Sequence, residues 1–409
     1  MFDLVDILKK SDSQHSEAQK EITSVLFYQT EKCQSLVKEA YRFEGLVPPA
    51  LLINSDEQIK EHVRNEHIEI VIIELNESRD ISRDAERISH LLPNDASVIV
   101  IGCEDAISTI RNLKQMGFYY LFWPITKHEL IEFVISVHDN RHSHKGLGKK
   151  RKAKQISVLG CKGGVGTTFL CSEIGYLLAE KKNSSCVVVD NDYHGGNLDI
   201  MLGMEKFEKR LIRAGSFSTT LDPTSAQSML NKHTKLLSVL SLTPTAGMGN
   251  ADVKEYTKTV ASQVAENVNF IVEDLSAIAQ QGFDHKELVE LSDCLILVFS
   301  PTVSALREAA RIKQRMMEDK ENVPCRMYMV MNCVVPDSAA TVSLEEAEKY
   351  LHQPVDIVIP YIKKLDAMIL DNKRISQSGG KPEKALYRLV SLIVGEETKK
   401  GLRLPFMHR

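Results

Sequence analysis

The apolar positions of this chain fall in short runs rich in β-forming residues, and the stretches between them carry apolar residues at helical spacing. The first runs are Ser24 to Tyr28, Ala50 to Ile53, Ile68 to Leu75, Ser97 to Gly102 and Tyr119 to Phe122. Strands alternating with helices predict βα units and a doubly wound parallel sheet of about five strands. After a polar break come Gln155 to Gly160, Cys186 to Asp192 and Asn269 to Leu275. The expected fold is α/β, with two doubly wound, mostly parallel-sheet domains.

The break, R-H-S-H-K-G-L-G-K-K-R-K-A-K from Arg141 to Lys154, is basic, glycine-punctuated and free of acidic residues. It reads as a solvated tether; contact with nucleic acid or anionic lipid is the other reading. The chain then divides into a tail (1–20), a first domain (21–140), a linker (141–154) and a second domain (155–409). In the tail, Phe2, Leu4, Val5, Ile7 and Leu8 precede a polar stretch, as in a frayed terminus or a short amphipathic docking helix.

Composition adds bounds. The 409 residues suffice for two domains, and the formal net charge of −4 suits a soluble globular protein. No apolar run approaches the ~20 residues needed to span a bilayer, and the N-terminus lacks the order of a signal peptide. Eight cysteines, without a C-x-x-C pair and several of them inside apolar runs, argue for a reducing cytoplasm and against a metal or disulfide framework.

The chemistry concentrates at Gly160 to Thr168, G-C-K-G-G-V-G-T-T. An apolar strand precedes it and a helical pattern follows, the order that a phosphate-binding loop requires. Gly163, Gly164 and Gly166 would let backbone N–H groups of the loop, with Val165 among them, turn toward phosphate oxygens, and the following helix adds its positive end. The usual motif, G-x-x-x-x-G-K-[ST], has a lysine where this chain has Thr167, whereas Thr168 keeps the hydroxyl that would ligate Mg²⁺. Phe169 follows in the helix. Two later strands end in carboxylates. Asp190 and Asp192 flank Asn191, and alternate residues of a strand share a face, so both would look toward the loop. At the ends of parallel strands beside the loop, Asp190 and Asp274 would hold Mg²⁺, directly or through water.

The first domain resembles a response-regulator receiver domain, most plainly at Ile68-Glu-Ile-Val-Ile-Ile-Glu-Leu75 and Phe122-Trp-Pro-Ile-Thr-Lys-His-Glu-Leu130. The resemblance aligns Gln29 and Thr30 with the family's acidic pair, Glu74 with its phosphorylated aspartate, Gly102 with its threonine or serine, and Trp123 with its lysine. Phosphotransfer needs a carboxylate cluster for Mg²⁺ and an aspartate nucleophile, and neither is present. The domain is expected to act as a protein-binding or dimerisation surface. Glu74 reads as a solvated strand end, or alternatively as a permanent mimic of a phosphorylated state.

From about Gln155 onward the chain resembles the MinD/ParA group of deviant P-loop ATPases. The resemblance implies that Lys162 reaches across a dimer to the partner's phosphates, that Asp192 positions water and that Asn197 is a switch contact. It also implies that Asn332 recognises adenine, with Pro360 and Tyr361 packing over the base. A receiver-like domain followed by such an ATPase resembles the TadZ/CpaE family of type IVc (Flp/Tad) pilus assembly, several members of which also replace the P-loop lysine by a small residue. That likeness implies a homodimer bound to ATP and Mg²⁺ at the cytoplasmic face of the inner membrane, at times polar, recruiting the pilus secretion ATPase and other assembly proteins. It argues against nucleic acid as a partner.

The missing lysine has a size. A charge-assisted hydrogen bond is worth ~1.5–3 kcal/mol, so its loss would weaken nucleotide binding by roughly ten- to a hundredfold if nothing replaced it. Hydrolysis is more exposed, because the clamp stabilises charge that grows in the transition state. The expectation is ATP binding and ATP-dependent dimerisation with slow or negligible turnover. The alternative is an active MinD/ParA-type ATPase that positions DNA or division machinery. Pro405, in the tail Gly401 to Arg409, argues against a terminal membrane helix.

Overall fold

A computed structural model describes residues 22–66, 68–142, 152–212, 221–245, 247–277, 284–319 and 325–396. The tail 1–20, residues 143–151 of the basic segment and the C-terminal stretch with Pro405 lie outside them. The chain forms two compact units, Met1–Arg151 and Lys152–Arg409. Helix Lys127–His142 and a strand beginning at Lys154 extend into the two ends of the segment read as a linker.

The first unit is a five-stranded parallel sheet. Its strands are β1 (Ser24–Tyr28), β2 (Ala50–Ile53), β3 (Ile70–Glu74), β4 (Ser97–Gly102) and β5 (Tyr119–Phe122), in the order β2-β1-β3-β4-β5. Alternation along the strands sends Val71 and Ile73 into one core layer and Ile70 and Ile72 into the other. Both faces are covered, which is why these strands read as unbroken apolar runs. The helices after β1, β2 and β3 begin where Thr30, Ser55 and Asp80 accept hydrogen bonds from the backbone N–H groups of Cys33, Gln58 and Arg83.

At the carboxyl end of β3 the expectation of a solvated Glu74 fails: the residue is 0% exposed. Its carboxylate accepts from the Gln29 and Thr30 backbone N–H groups at 2.7 and 2.8 Å, the Thr30 hydroxyl at 2.6 Å and the Asn76 amide at 2.7 Å. These donors compensate the desolvation that a buried charge suffers. Gly102 is crowded: a Cβ there would lie 2.6 Å from Ile81 Cδ1 and 2.8 Å from the Tyr120 hydroxyl, so a side chain would require both neighbours to shift. Trp123 packs against the apolar core.

The second unit has nine strands: β6 (Lys154–Gly160), β7 (Cys186–Asp190), β8 (Arg210–Ile212), β9 (Asn231–Lys232), β10 (Leu237–Pro244), β11 (Phe270–Asp274), β12 (Cys294–Phe299), β13 (Arg326–Asn332) and β14 (Ile357–Ile359). Their order is β14-β13-β12-β6-β11-β7-β10-β8, all parallel, with β9 antiparallel against β10. The sequence reading anticipated neither β10 nor the short β8 and β9. From β6 the chain crosses over β11 to reach β7, while β12 flanks the other side of β6. A strand order that reverses in this way marks the carboxyl end of β6 as the place where open α/β sheets bind ligands.

Helix Thr167–Glu180 after β6 is buried nearly all round, as its apolar composition requires. Glu173 in this helix accepts from the Ile375 and Ser376 backbone N–H groups at 3.3 and 3.0 Å. Arg374 lies over the Tyr176 ring and donates to the carbonyl oxygens of Met201 and Leu202 at 2.8 and 2.6 Å. The loop helix is thus tied to helix Leu198–Leu202 and to the chain after β14. Six of the eight cysteines are buried, Cys333 is partly so and Cys103 is exposed.

Candidate functional site

The site grows from the carboxyl end of β6. Residues 161–166 turn from that strand into helix Thr167–Glu180, with Gly164 at φ +79° and Gly166 at φ +86°. Only glycine adopts these values without strain. Gly166 meets a second limit: a Cβ there would lie 2.3 Å from the Asn332 amide nitrogen. Asn332, at the end of β13 and 5% exposed, donates that amide to the Val165 carbonyl oxygen at 2.9 Å. It therefore props the loop from below as well as ending the strand assigned to adenine. Pro360 and Tyr361, both half-buried, follow β14 at the same end of the sheet, where Ile359 pairs with Asn332.

Thr167 is 4% exposed, and its hydroxyl packs against Gly160, where a Cβ would come within 2.3 Å of it. Val165 and Phe169 are buried, whereas Lys162, Gly163 and Gly164 face solvent. The ammonium of Lys162 reaches the Ser304 hydroxyl at 3.1 Å, at the start of helix Val303–Asp319.

Beside the loop lie two buried carboxylates. Asp274 ends β11 at 1% exposure and Asp190 ends β7 at 2%, paired in register on adjacent strands. Burial pushes the Asp274 carboxyl up to about 6, the Thr168 hydroxyl opposes this and the Asp190 charge adds to it. Burial also raises Asp190, with Lys209 opposing. The Thr168 hydroxyl donates to the Ser276 hydroxyl at 3.2 Å, and Ser276 in turn donates its backbone N–H to Asp274 at 3.0 Å. One hydroxyl on the loop helix and two desolvated carboxylates form an oxygen-only donor set that fits Mg²⁺ bridging to phosphates. Among the described residues no three His, Cys, Asp or Glu groups gather as a metal cluster. Mg²⁺ of this kind keeps several waters and rests on phosphate oxygens, so it needs no such cluster.

The expectation that Asp190 and Asp192 share a strand face is not met. Strand β7 stops at Asp190, and the Asp192 carboxylate turns back on its own loop, accepting from the His194 and Gly195 backbone N–H groups at 3.2 and 2.9 Å. An aspartate just past a strand end commonly satisfies its own turn this way. Asn197 is exposed ahead of helix Leu198–Leu202 and its side chain makes no cap there.

The sequence reading overlooked four residues here: Ser241, Ser276, Ser304 and Lys209. Ser241 was legible, since it sits in the apolar run of β10, and its hydroxyl donates to Asp190 at 2.9 Å. Ser276 follows Asp274 by two positions and donates its backbone N–H to that carboxylate at 3.0 Å. Lys209 carried no signal at all, because only the fold brings it within 3.2 Å of Asp190.

No family profile matches the chain. It is 29% identical over 170 residues to the septum site-determining protein MinD of Bacillus subtilis, covering 41% of this chain and 60% of that protein. To MinD of Synechocystis it is 29% identical over 162 residues, covering 38% and 57%. The chain thus spans less than two thirds of the length of these curated relatives. Among solved structures, a ParA-family ATPase from Chlorobium tepidum superposes with a TM-score of 0.48 at 18% identity, covering 58% of this chain and 98% of its own. The MinD cell division protein of Aquifex aeolicus gives 0.44 at 22%, covering 60% and 99%. The sequence matches, to MinD proteins, support kinship with the MinD/ParA superfamily of P-loop ATPases.

Proposed function

We propose that this protein binds ATP with Mg²⁺, dimerises on doing so and hydrolyses the nucleotide slowly or not at all. In this reading it is a localisation and assembly factor for a type IVc (Flp/Tad) pilus secretion system at the cytoplasmic face of the inner membrane. The observation that carries the ATP reading is Thr167: the loop keeps its glycines, its helix and the Thr168 hydroxyl, yet a buried threonine packed on Gly160 stands where a phosphate-clamping lysine belongs. Backbone N–H groups and the helix end would cradle the phosphates. Thr168 would hold Mg²⁺ directly, with Asp274 and Asp190 acting through water, and the bound ion would neutralise phosphate charge. The pilus assignment rests on the succession of a receiver-like unit, lacking a phosphotransfer set, and this P-loop unit.

Lys162 is the cation left on the loop. Exposed and resting on Ser304, it is free to exchange that neutral partner for a phosphate of a facing protomer. Lys162→Ala is expected to leave the affinity of the monomer for a labelled ATP analogue within about threefold while abolishing ATP-dependent self-association, since a lost charge-assisted contact at an interface is worth several-fold to a hundredfold. Light scattering with and without ATP reads this directly, and unchanged self-association of the variant would refute the role. Among the described residues no helix is long and apolar enough to cross a membrane. The second reading, an active ATPase positioning DNA or the division machinery, is favoured by the MinD relatives and disfavoured by Thr167.

A further inference from the structure

The proposed nucleotide site gives Asp190 a water-mediated part in holding Mg²⁺ but leaves out the lysine already paired with that carboxylate at the end of β7. Asp190 lies between β11 and β10, in register with Asp274 on one side and Ser241 on the other. Both oxygens of its carboxylate already have partners. One oxygen accepts the Asp192 backbone N–H at 3.0 Å, and the other accepts the Ser241 hydroxyl at 2.9 Å and meets the Lys209 ammonium at 3.2 Å. Gly196 closes over the same oxygen, since a Cβ there would come within 2.3 Å of it. Lys209 arrives from the segment between helix Leu198–Leu202 and β8. It also donates to the Asp192 carbonyl oxygen, and its side chain is only 18% exposed.

We propose that Lys209 is a tethered counter-ion for this corner of the site, standing at Asp190 in place of a divalent cation. Two adjacent carboxylates in a low-dielectric setting need a positive charge, and here the chain supplies one. A divalent ion that engages Asp190 has to displace the ammonium or share its oxygen against like-charge repulsion. The inference rests on the Mg²⁺ and nucleotide reading above, and it adds that Mg²⁺ contributes little to nucleotide affinity while Lys209 is present. Removing the lysine hands the corner to the metal.

The test is the affinity of the full chain for a fluorescent ATP analogue, measured with Mg²⁺ and again in EDTA. The native protein is expected to show a ratio of about threefold or less between the two conditions, and Lys209→Met about tenfold or more. Lys209→Arg, which keeps the charge, is expected to behave as the native protein does. Adding Asp190→Asn to Lys209→Met removes the carboxylate that the metal would take over, and the ratio is expected to fall back. Should Lys209→Met fail to fold, Lys209→Gln keeps a donor at Asp190 without the charge and is expected to give the same tenfold ratio. Equal ratios in the native and uncharged variants overturn the inference while leaving nucleotide binding intact. A loss of affinity that is the same with and without Mg²⁺ also overturns it and assigns Lys209 to the phosphates. Absence of analogue binding in every variant, the native chain included, sinks the nucleotide reading itself.

Discussion

Asp274→Asn is expected to raise the thermal stability of the nucleotide-free protein at neutral pH. The reason lies in burial. Asp274 is 1% exposed, faces Asp190 across the sheet and has its carboxyl pushed up to about 6 from an ordinary value of 3.8. The folded state therefore holds this proton more tightly than the unfolded chain does. Stability from the protonated form is complete below pH 3.8 and is lost as pH rises through about 6. Above that range the ionised, desolvated group works against folding by an amount on the order of 1–3 kcal/mol. Asparagine removes the charge and keeps an acceptor for the Ser276 backbone N–H. Calorimetry of both proteins between pH 4 and about 8 should show melting temperatures that differ little at the acid end and diverge as pH rises. A variant that melts lower than the native protein at every pH would contradict this.

The second large effect is expected in the other unit. Glu74→Ala leaves the backbone N–H groups of Gln29 and Thr30, the Thr30 hydroxyl and the Asn76 amide without their common acceptor. An orphaned buried donor costs about 1–3 kcal/mol, less where water enters, so a loss of roughly 3–5 kcal/mol is expected from the four. A two-unit chain need not melt in one step. The transition of the first unit should move down by several degrees while nucleotide binding by the second unit is retained. Circular dichroism melts paired with a binding titration read both quantities. Unchanged melting would mean that the carboxylate is not what fastens the loop after β1 to the end of β3.

The two cases show what a sequence can carry. The strands of the first unit were legible because both faces of a doubly wound sheet are covered, which gives apolar runs such as the four residues ahead of Glu74 in β3. The loop at Gly160 to Thr168 was legible because its glycines, its helix and its missing lysine are all local. Glu74 was misread because one-dimensional reasoning assigns a strand-end carboxylate to water. Here it gains backbone donors that lie 44 and 45 positions away in the chain. Asp192 was misread because period-two alternation holds only while the strand continues, and β7 ends at Asp190. Lys209 could not have been read at all, since its pairing with Asp190 depends on how the chain returns to β8.

The central claim is that Thr167 turns a P-loop ATPase fold into an ATP-dependent joint with little turnover. Phosphate release by the purified native chain, measured beside its Thr167→Lys variant at saturating ATP and Mg²⁺, tests it most directly. The account predicts negligible release by the native chain, ATP binding in both proteins, and an affinity roughly ten- to a hundredfold higher in the variant. Rapid turnover by the native sequence, as fast as that of the lysine variant or faster, would contradict it.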